Sequence, residues 1–198
     1  MQIINKANHN TSVWSGGTTT ELFIFPPNSS YAKRNFKYRI STAKVNVEKS
    51  TFTRLDGVHR EIMILDGQIV LSHQGHYTKK LKKFETDSFQ GNWETTSKGI
   101  VTDFNIMTEG DYNGKIIPYI LKNNEILSYS NTSNSIAIIL YVFSGEIKIE
   151  SSIHNAVAKE GDIIVFDSIT EYNKYIITSI LSSEIIISNI EKKNKIIS

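Results

Sequence analysis

Apolar and polar residues alternate along most of this chain, with the two-residue period of strands rather than the 3.6-residue period of helices. No amphipathic helix of ordinary length is legible. Residues 21–25 read as a strand stopped by Pro26 and Pro27. Over 36–47, Tyr38, Ile40 and Thr42 fall on one side, and Arg39, Ser41, Ala43, Val45 and Val47 on the other. Residues 60–65 form a short buried run, Asp66 and Gly67 a tight turn, and 68–73 its return strand. Residues 77–81 and 99–107 give further strands, and the turn-rich stretch 108–114 marks a boundary.

The second half repeats the scheme. An apolar run over 136–143 meets a turn at Ser144 and Gly145, then a return strand over 146–150. Gly161 and Asp162 lead into 163–166, and strands over 175–181 and 184–190 complete the set. The pieces 62–71 and 139–149 share one pattern: apolar run, glycine turn, alternating strand. That likeness predicts an internal duplication, one jelly roll per half. The expected fold is all-β, with antiparallel jelly-roll halves over 1–112 and 113–198.

Composition narrows the function classes. With 198 residues, 39% of them hydrophobic, the chain can bury a sizeable core. The charge is balanced, 22 basic against 20 acidic residues, so neither nucleic acid nor a membrane surface is an expected partner. Lys79, Lys80, Lys82 and Lys83 read as a solvated strand or turn, and Lys192, Lys193 and Lys195 as a charged tail. Residues 1–10 are polar and no apolar run is long enough to span a bilayer, so a cytoplasmic location is expected. The absence of cysteine excludes disulfides, zinc–thiolate sites and cysteine nucleophiles. Arginine occurs only at 34, 39, 54 and 60, and an arginine inside a strand then points to a use for its planar, multi-donor fork.

Residues 143–147 and 161–166 resemble the glycine-and-apolar cadence of cupin barrels. A sharper resemblance lies in the first half. Residues 14–21 (Trp-Ser-Gly-Gly-Thr-Thr-Thr-Glu) resemble the Trp-Gly-Gly-Thr-Glu signature of the HutD/Ves family. Residues 36–45 are similar to its Arg-x-Ser-x-Ala-x-Val strand. Residues 55–67 are similar to its Pro-Gly-x-x-Arg segment, with Asp56 where proline is common. Residues 89–92 resemble its Phe-x-Gly-Asp piece, with Asn92 in place of the acid, and 102–107 its Asp-Phe-Asn-x-Met strand. Five matches in order over residues 12–108 are specific together. The second half matches by strand pattern alone. The resemblance implies a two-barrel cupin (bicupin), in a family partly associated with histidine utilisation and without a well-established catalytic activity.

Catalytic cupins commonly hold a metal with two histidines, a glutamate and a third histidine. Counted back from Gly67, those positions carry Arg54, Asp56 and Arg60, two of them cations that repel a divalent ion. Counted back from Gly145, the glutamate position carries Ile138. His9, His59, His73, His76 and His154 form no triad; His73 and His76 flank a turn and read as solvent-facing loop residues. No metal or other cofactor is expected.

Period 2 places Arg39, Ser41 and Ala43 on one face, Arg60, Ile62 and Ile64 on another, and Asp103, Asn105 and Met107 on a third. If these faces converge in a lumen, the arginines suit a small carboxylate or other anion, Asn105 orients it, and Asp103 balances one arginine. Trp14 and Glu21 flank a Gly-Gly-Thr segment suited to a lid or anion-binding nest at the mouth. Tyr31, Phe36, Tyr38, Phe52 and Phe89 are expected in the core. The leading expectation is a non-catalytic binder of a small carboxylate, with a regulatory role in amino-acid (histidine) catabolism. Two alternatives stand beside it. One is a metal-independent isomerase or hydrolase of an acidic metabolite, using Glu21, Asp103 or His59 as acid and base. The other is a scaffold that dimerises through isoleucine-rich edges such as Ile185, Ile186 and Ile187.

Overall fold

The computed structural model describes residues 1–151, 155–167, 169 and 173–193. His154 and Lys195 lie outside the described residues. Strands dominate, and a 3-10 turn at Lys6–Asn8 is the one helical element among the described residues. In chain order the strands begin with β1 (Gln2–Ile4), β2 (Asn10–Trp14), β3 (Gly17–Phe25), β4 (Tyr38–Val45) and β5 (Lys49–Thr51). They continue with β6 (Val58–His73), β7 (Tyr77–Lys82), β8 (Thr86–Gln90), β9 (Thr95–Lys98), β10 (Val101–Glu109) and β11 (Tyr112–Leu121). The last five are β12 (Ile126–Ser130), β13 (Ser135–Glu150), β14 (Asn155–Lys159), β15 (Ile163–Phe166) and β16 (Lys174–Lys192).

The chain divides into two compact units. Asn10–Gly114 forms one, and Lys115–Ser198 forms the other together with Met1–His9. The division thus falls two residues beyond the expected 112/113 boundary, and the first nine residues go with the C-terminal unit rather than with the half they begin.

In the N-terminal unit the strand order is β2-β3-β4-β10-β6-β9-β5, with β7 and β8 also on β6. Its core gathers Val45, Ile62, Ile64, Ile69, Leu71 and Phe89 in one cluster, and Phe36, Leu55, Val58 and Met107 in a second. In the C-terminal unit the order is β1-β15-β13-β16-β11, with β12 on β16 and β14 on β13. Ile185, Ile186 and Ile187 are fully buried, and Ile185 and Ile187 belong to that unit's core cluster. They are therefore not a free edge. β16 has neighbours on both sides, which occupy its backbone groups, and both faces of the segment are covered.

Two expected turns are bends in unbroken strands. β6 runs through Asp66 and Gly67 for 16 residues, and β13 runs through Ser144 and Gly145 for 16. The two strands expected over 175–190 are likewise one, β16, of 19 residues. Gly67 has φ 82° and Gly145 φ 86°, so each kinks its strand without reversing it. β6 pairs with β10 as far as Gly67 opposite Val101. Beyond the kink it pairs with β7 and β9, with Val70 opposite Lys98. One long strand thus changes partners at its glycine and curls the sheet. The matching bend in β13 gives the two halves the same device, consistent with the repeated sequence pattern.

Candidate functional site

The site is built around β10. Its neighbours β4 and β6 hold it in antiparallel register, so Met107 lies opposite both Arg39 and Arg60, Asn105 opposite Ser41 and Ile62, and Asp103 opposite Ala43 and Ile64. Alternation then puts Arg39, Ser41, Arg60, Asp103 and Asn105 on one face. That face lines a cavity of about 300 Å³. Trp14 also lines it, as do Ser12, Thr19, Tyr31, Phe52 and Thr53. Six of the seven residues singled out from the sequence are therefore brought together. The seventh, Glu21, touches the cavity through its neighbour: its Oε2 accepts from Arg39 Nε at 2.7 Å.

The two arginines are held differently. Arg39 also donates from Nη1 to Ser41 Oγ at 3.1 Å, and its guanidinium lies 4.6 Å from the centre of the Tyr31 ring. Arg60 donates from Nη2 to the Thr53 carbonyl at 2.6 Å and lies 5.5 Å from the Phe52 ring. Its Nε is buried and has no hydrogen-bond partner. Burial lowers the Arg60 pKa, as does Arg39, while Tyr31 and Asp103 act to raise it. Guanidinium nonetheless keeps its proton in proteins. Both side chains are deeply placed, with Arg39 at 6% and Arg60 at 3% exposure.

Asp103 acts on Arg60 as a nearby charge rather than as a direct ion-pair partner. The acid that pairs directly with an arginine here is Glu21, because β3 lies beside β4 and places Glu21 opposite Ser41. Among the described residues Asp103 makes no ion pair with Arg60 within 4.0 Å; it accepts instead from Asn105 Nδ2 at 3.3 Å. Burial pushes its carboxyl up to about 7, opposed by the Asn105 bond and by the Arg60 charge. Asn105 Oδ1 is buried without a partner.

The Gly16–Gly17 segment is a close-packed corner rather than a lid. A Cβ on Gly16 would lie 2.1 Å from the Trp14 ring, and one on Gly17 1.9 Å from the Lys44 carbonyl. The glycines let Trp14 fold over the chain and let β3 approach β4. Tyr31 and Phe52 are half-buried: each packs against a core cluster, as expected, and also forms the aromatic wall beside the arginines, while Phe36, Tyr38 and Phe89 are fully buried.

The histidines lie elsewhere. His59 contacts Glu61 Oε1 at 3.2 Å and Ser88 Oγ at 2.9 Å and does not line the arginine cavity. His73 is not solvent-facing: its side chain is fully buried. It bonds Asp87 Oδ2 and Thr95 Oγ1, each at 2.9 Å, and packs against Tyr77, Phe89 and Trp93. The alternation that carries Leu71 into the core carries His73 after it, and Asp87 supplies the acceptor. A more open hollow of about 480 Å³ adjoins this pair, lined by residues 72–78, Glu94 and Thr96. Arg54 and Asp56 are exposed and 3.5 Å apart. Among the described residues no group of three or more His, Asp or Glu side chains is placed to hold a metal ion, and no helix is long and apolar enough to cross a membrane.

Curled antiparallel sheets with glycine-bent strands, one set in each half, define a two-barrel cupin, and solved structures bear out that class. A conserved protein of unknown function from Pseudomonas aeruginosa PAO1 superposes with a TM-score of 0.84 at 16% identity, covering 96% of this chain and 98% of its own. Oxalate decarboxylase from Bacillus subtilis, a cupin, superposes with a TM-score of 0.71 at 6% identity, over 98% of this chain and 77% of that one. HutD from Pseudomonas fluorescens SBW25, in a formate condition, gives a TM-score of 0.74 at 16% identity, over 98% and 99% of the two chains. The HutD family model matches residues 6–177, and the chain belongs to the HutD family. No curated protein matches the sequence.

Proposed function

We propose that the N-terminal unit is a non-catalytic binding site for a small carboxylate, and that the protein serves a regulatory role in amino-acid catabolism, histidine catabolism being the instance suggested by the family name. One observation carries the reading. Arg60 is buried in the cavity wall, yet its Nε has no partner and no carboxylate lies within ion-pair distance among the described residues. A buried cation left unpaired is costly, and an anion is the group that relieves it. Arg39 is already matched by Glu21, and Asp103 at about 7 is only partly charged near neutrality, so the cavity keeps a positive excess. Tyr31, Phe52 and Trp14 supply apolar walls that exclude water. The relative from P. fluorescens was determined in a formate condition, and formate is itself a small carboxylate.

Thermal-shift titration with a panel of carboxylates from formate to six-carbon acids tests this. A ligand at a hundred times its Kd stabilises the fold by about 2.7 kcal/mol. That rise in melting temperature is expected for at least one panel member and is expected to vanish in Arg60→Ala. A shift that survives Arg60→Ala unchanged places the anion elsewhere.

A further inference from the structure

We propose that Asp103 and Asn105 make anion capture in this cavity proton-coupled: a carboxylate that carries no hydrogen-bond donor binds together with one proton, which lands on Asp103. The inference rests on the carboxylate-binding reading above and adds how the site is regulated.

The geometry sets the coupling. Asp103 and Asn105 are two residues apart on one face of β10, with exposures of 3% and 7%. With Asp103 ionised, Asn105 spends an N–H on it, and the amide oxygen is left buried without a partner. Such an oxygen repels the oxygens of an incoming anion. With Asp103 protonated, its O–H donates to the amide oxygen, the amide turns over, and an N–H becomes free for the anion. Proton and anion therefore favour each other.

The charged and titratable groups around Asp103 tie its proton to the anion. Across β6 stands Arg60, whose positive charge helps keep Asp103 ionised. Across β4 stands Arg39, already held by Glu21 of β3. Tyr31 stacks on Arg39 and lies close enough to Arg60 to act on its charge. An anion on Arg60 offsets the main charge that opposes protonation of Asp103. Burial has already brought that carboxyl to about 7, so the proton is within reach near neutral pH. A ligand with an N–H or O–H beside its carboxylate can satisfy the Asn105 oxygen directly and needs no proton. The site thus tells donor-bearing from donor-free carboxylates by pH.

The test uses butanoate, which has no donor, titrated by NMR into the native protein and into Asp103→Asn between about pH 6 and pH 9. Native affinity is expected to hold level below about 7 and to weaken up to tenfold per pH unit above it, the limit for one linked proton. The Asp103→Asn slope is expected to be flat. Calorimetry of the native protein at about pH 8, in two buffers of different ionisation enthalpy, is expected to show uptake approaching one proton per butanoate. That measurement stands even where the variant folds poorly. Butanoate binding with no pH slope and no proton uptake overturns the coupling and leaves carboxylate binding intact. No binding of butanoate at any pH also overturns the coupling, and carboxylate binding then falls with it only if every member of the thermal-shift panel fails as well.

Discussion

At the scale of single residues, Asp103 carries a cost that the rest of the sheet must bear. Its carboxyl rises from 3.8 to about 7, chiefly through desolvation. The folded state then keeps a proton that the unfolded chain has released. The stability this group contributes is complete below about pH 4 and is lost as pH climbs to about 7, with no further change above. A rise of this size corresponds to roughly 4 kcal/mol at 1.36 kcal/mol per pKa unit. Asp103→Asn, neutral at every pH, is therefore expected to gain on the native protein between pH 4 and pH 7, by an amount on the order of a few kcal/mol. Urea denaturation at a series of pH values reads this out. A gap that stays constant over the window would mean that Asp103 ionises as freely inside the fold as outside it. Period 2 made this side of the site legible, because Arg39, Ser41, Arg60, Asp103 and Asn105 each needed only a correct strand face. Tyr31, Phe52 and Thr53 were not legible, because they reach the cavity from segments outside the strands, where no periodicity points them inward. Glu21 was legible as a member of the motif but not as the partner of Arg39, since that pairing depends on register between β3 and β4.

At the scale of elements, alternation located β3, β4, β6, β7, β10, β13, β15 and β16 but not β1, β2, β5, β8, β9, β11, β12 or β14, most of them short, and it could not say which glycines reverse the chain. An x-Gly pair between alternating runs has the same pattern whether the strand turns back or bends onward. The difference lies in what the glycine approaches. A Cβ on Gly67 would sit 2.5 Å from the Ile100 carbonyl and 3.3 Å from a Val101 methyl, whereas one on Gly75, between β6 and β7, meets nothing within 4 Å. Both residues have positive φ, at 82° and 76°, so both alanine variants carry the left-handed penalty of about 1–2 kcal/mol. Only Gly67→Ala adds a collision with backbone that cannot move without parting β6 from β10. Chemical denaturation is expected to show a loss of about 1–2 kcal/mol for Gly75→Ala and about 3 kcal/mol or more for Gly67→Ala. Equal losses at the two positions would remove close approach as the reason for the bend glycine.

At the scale of the whole molecule, the first nine residues belong to the unit that is most distant from them in sequence. β1 pairs antiparallel with β15, placing Gln2, Ile3 and Ile4 opposite Val165, Ile164 and Ile163. The Lys6 backbone N–H donates to Asp162 Oδ1 at 2.9 Å, His9 Nε2 donates to the Gly161 carbonyl at 2.9 Å, and Met1 packs against that unit's core cluster. Nothing in the local pattern of residues 1–9 announced this, because a three-residue strand is too short to show a period and its partner lies some 160 positions away. Without β1, β15 becomes an edge strand with bare N–H and C=O groups on one side. Deleting residues 1–9 is therefore expected to speed amide hydrogen exchange at residues 163–165 and to lower the stability of the C-terminal unit. The strands that carry the cavity, β4, β6 and β10, are expected to keep their protection, and carboxylate binding is expected to persist. Mass-spectrometric exchange on the full-length and shortened chains separates the outcomes. Protection lost equally from β4 and β10 would mean that the first nine residues stabilise the chain as one cooperative body, rather than the one unit whose edge they cover.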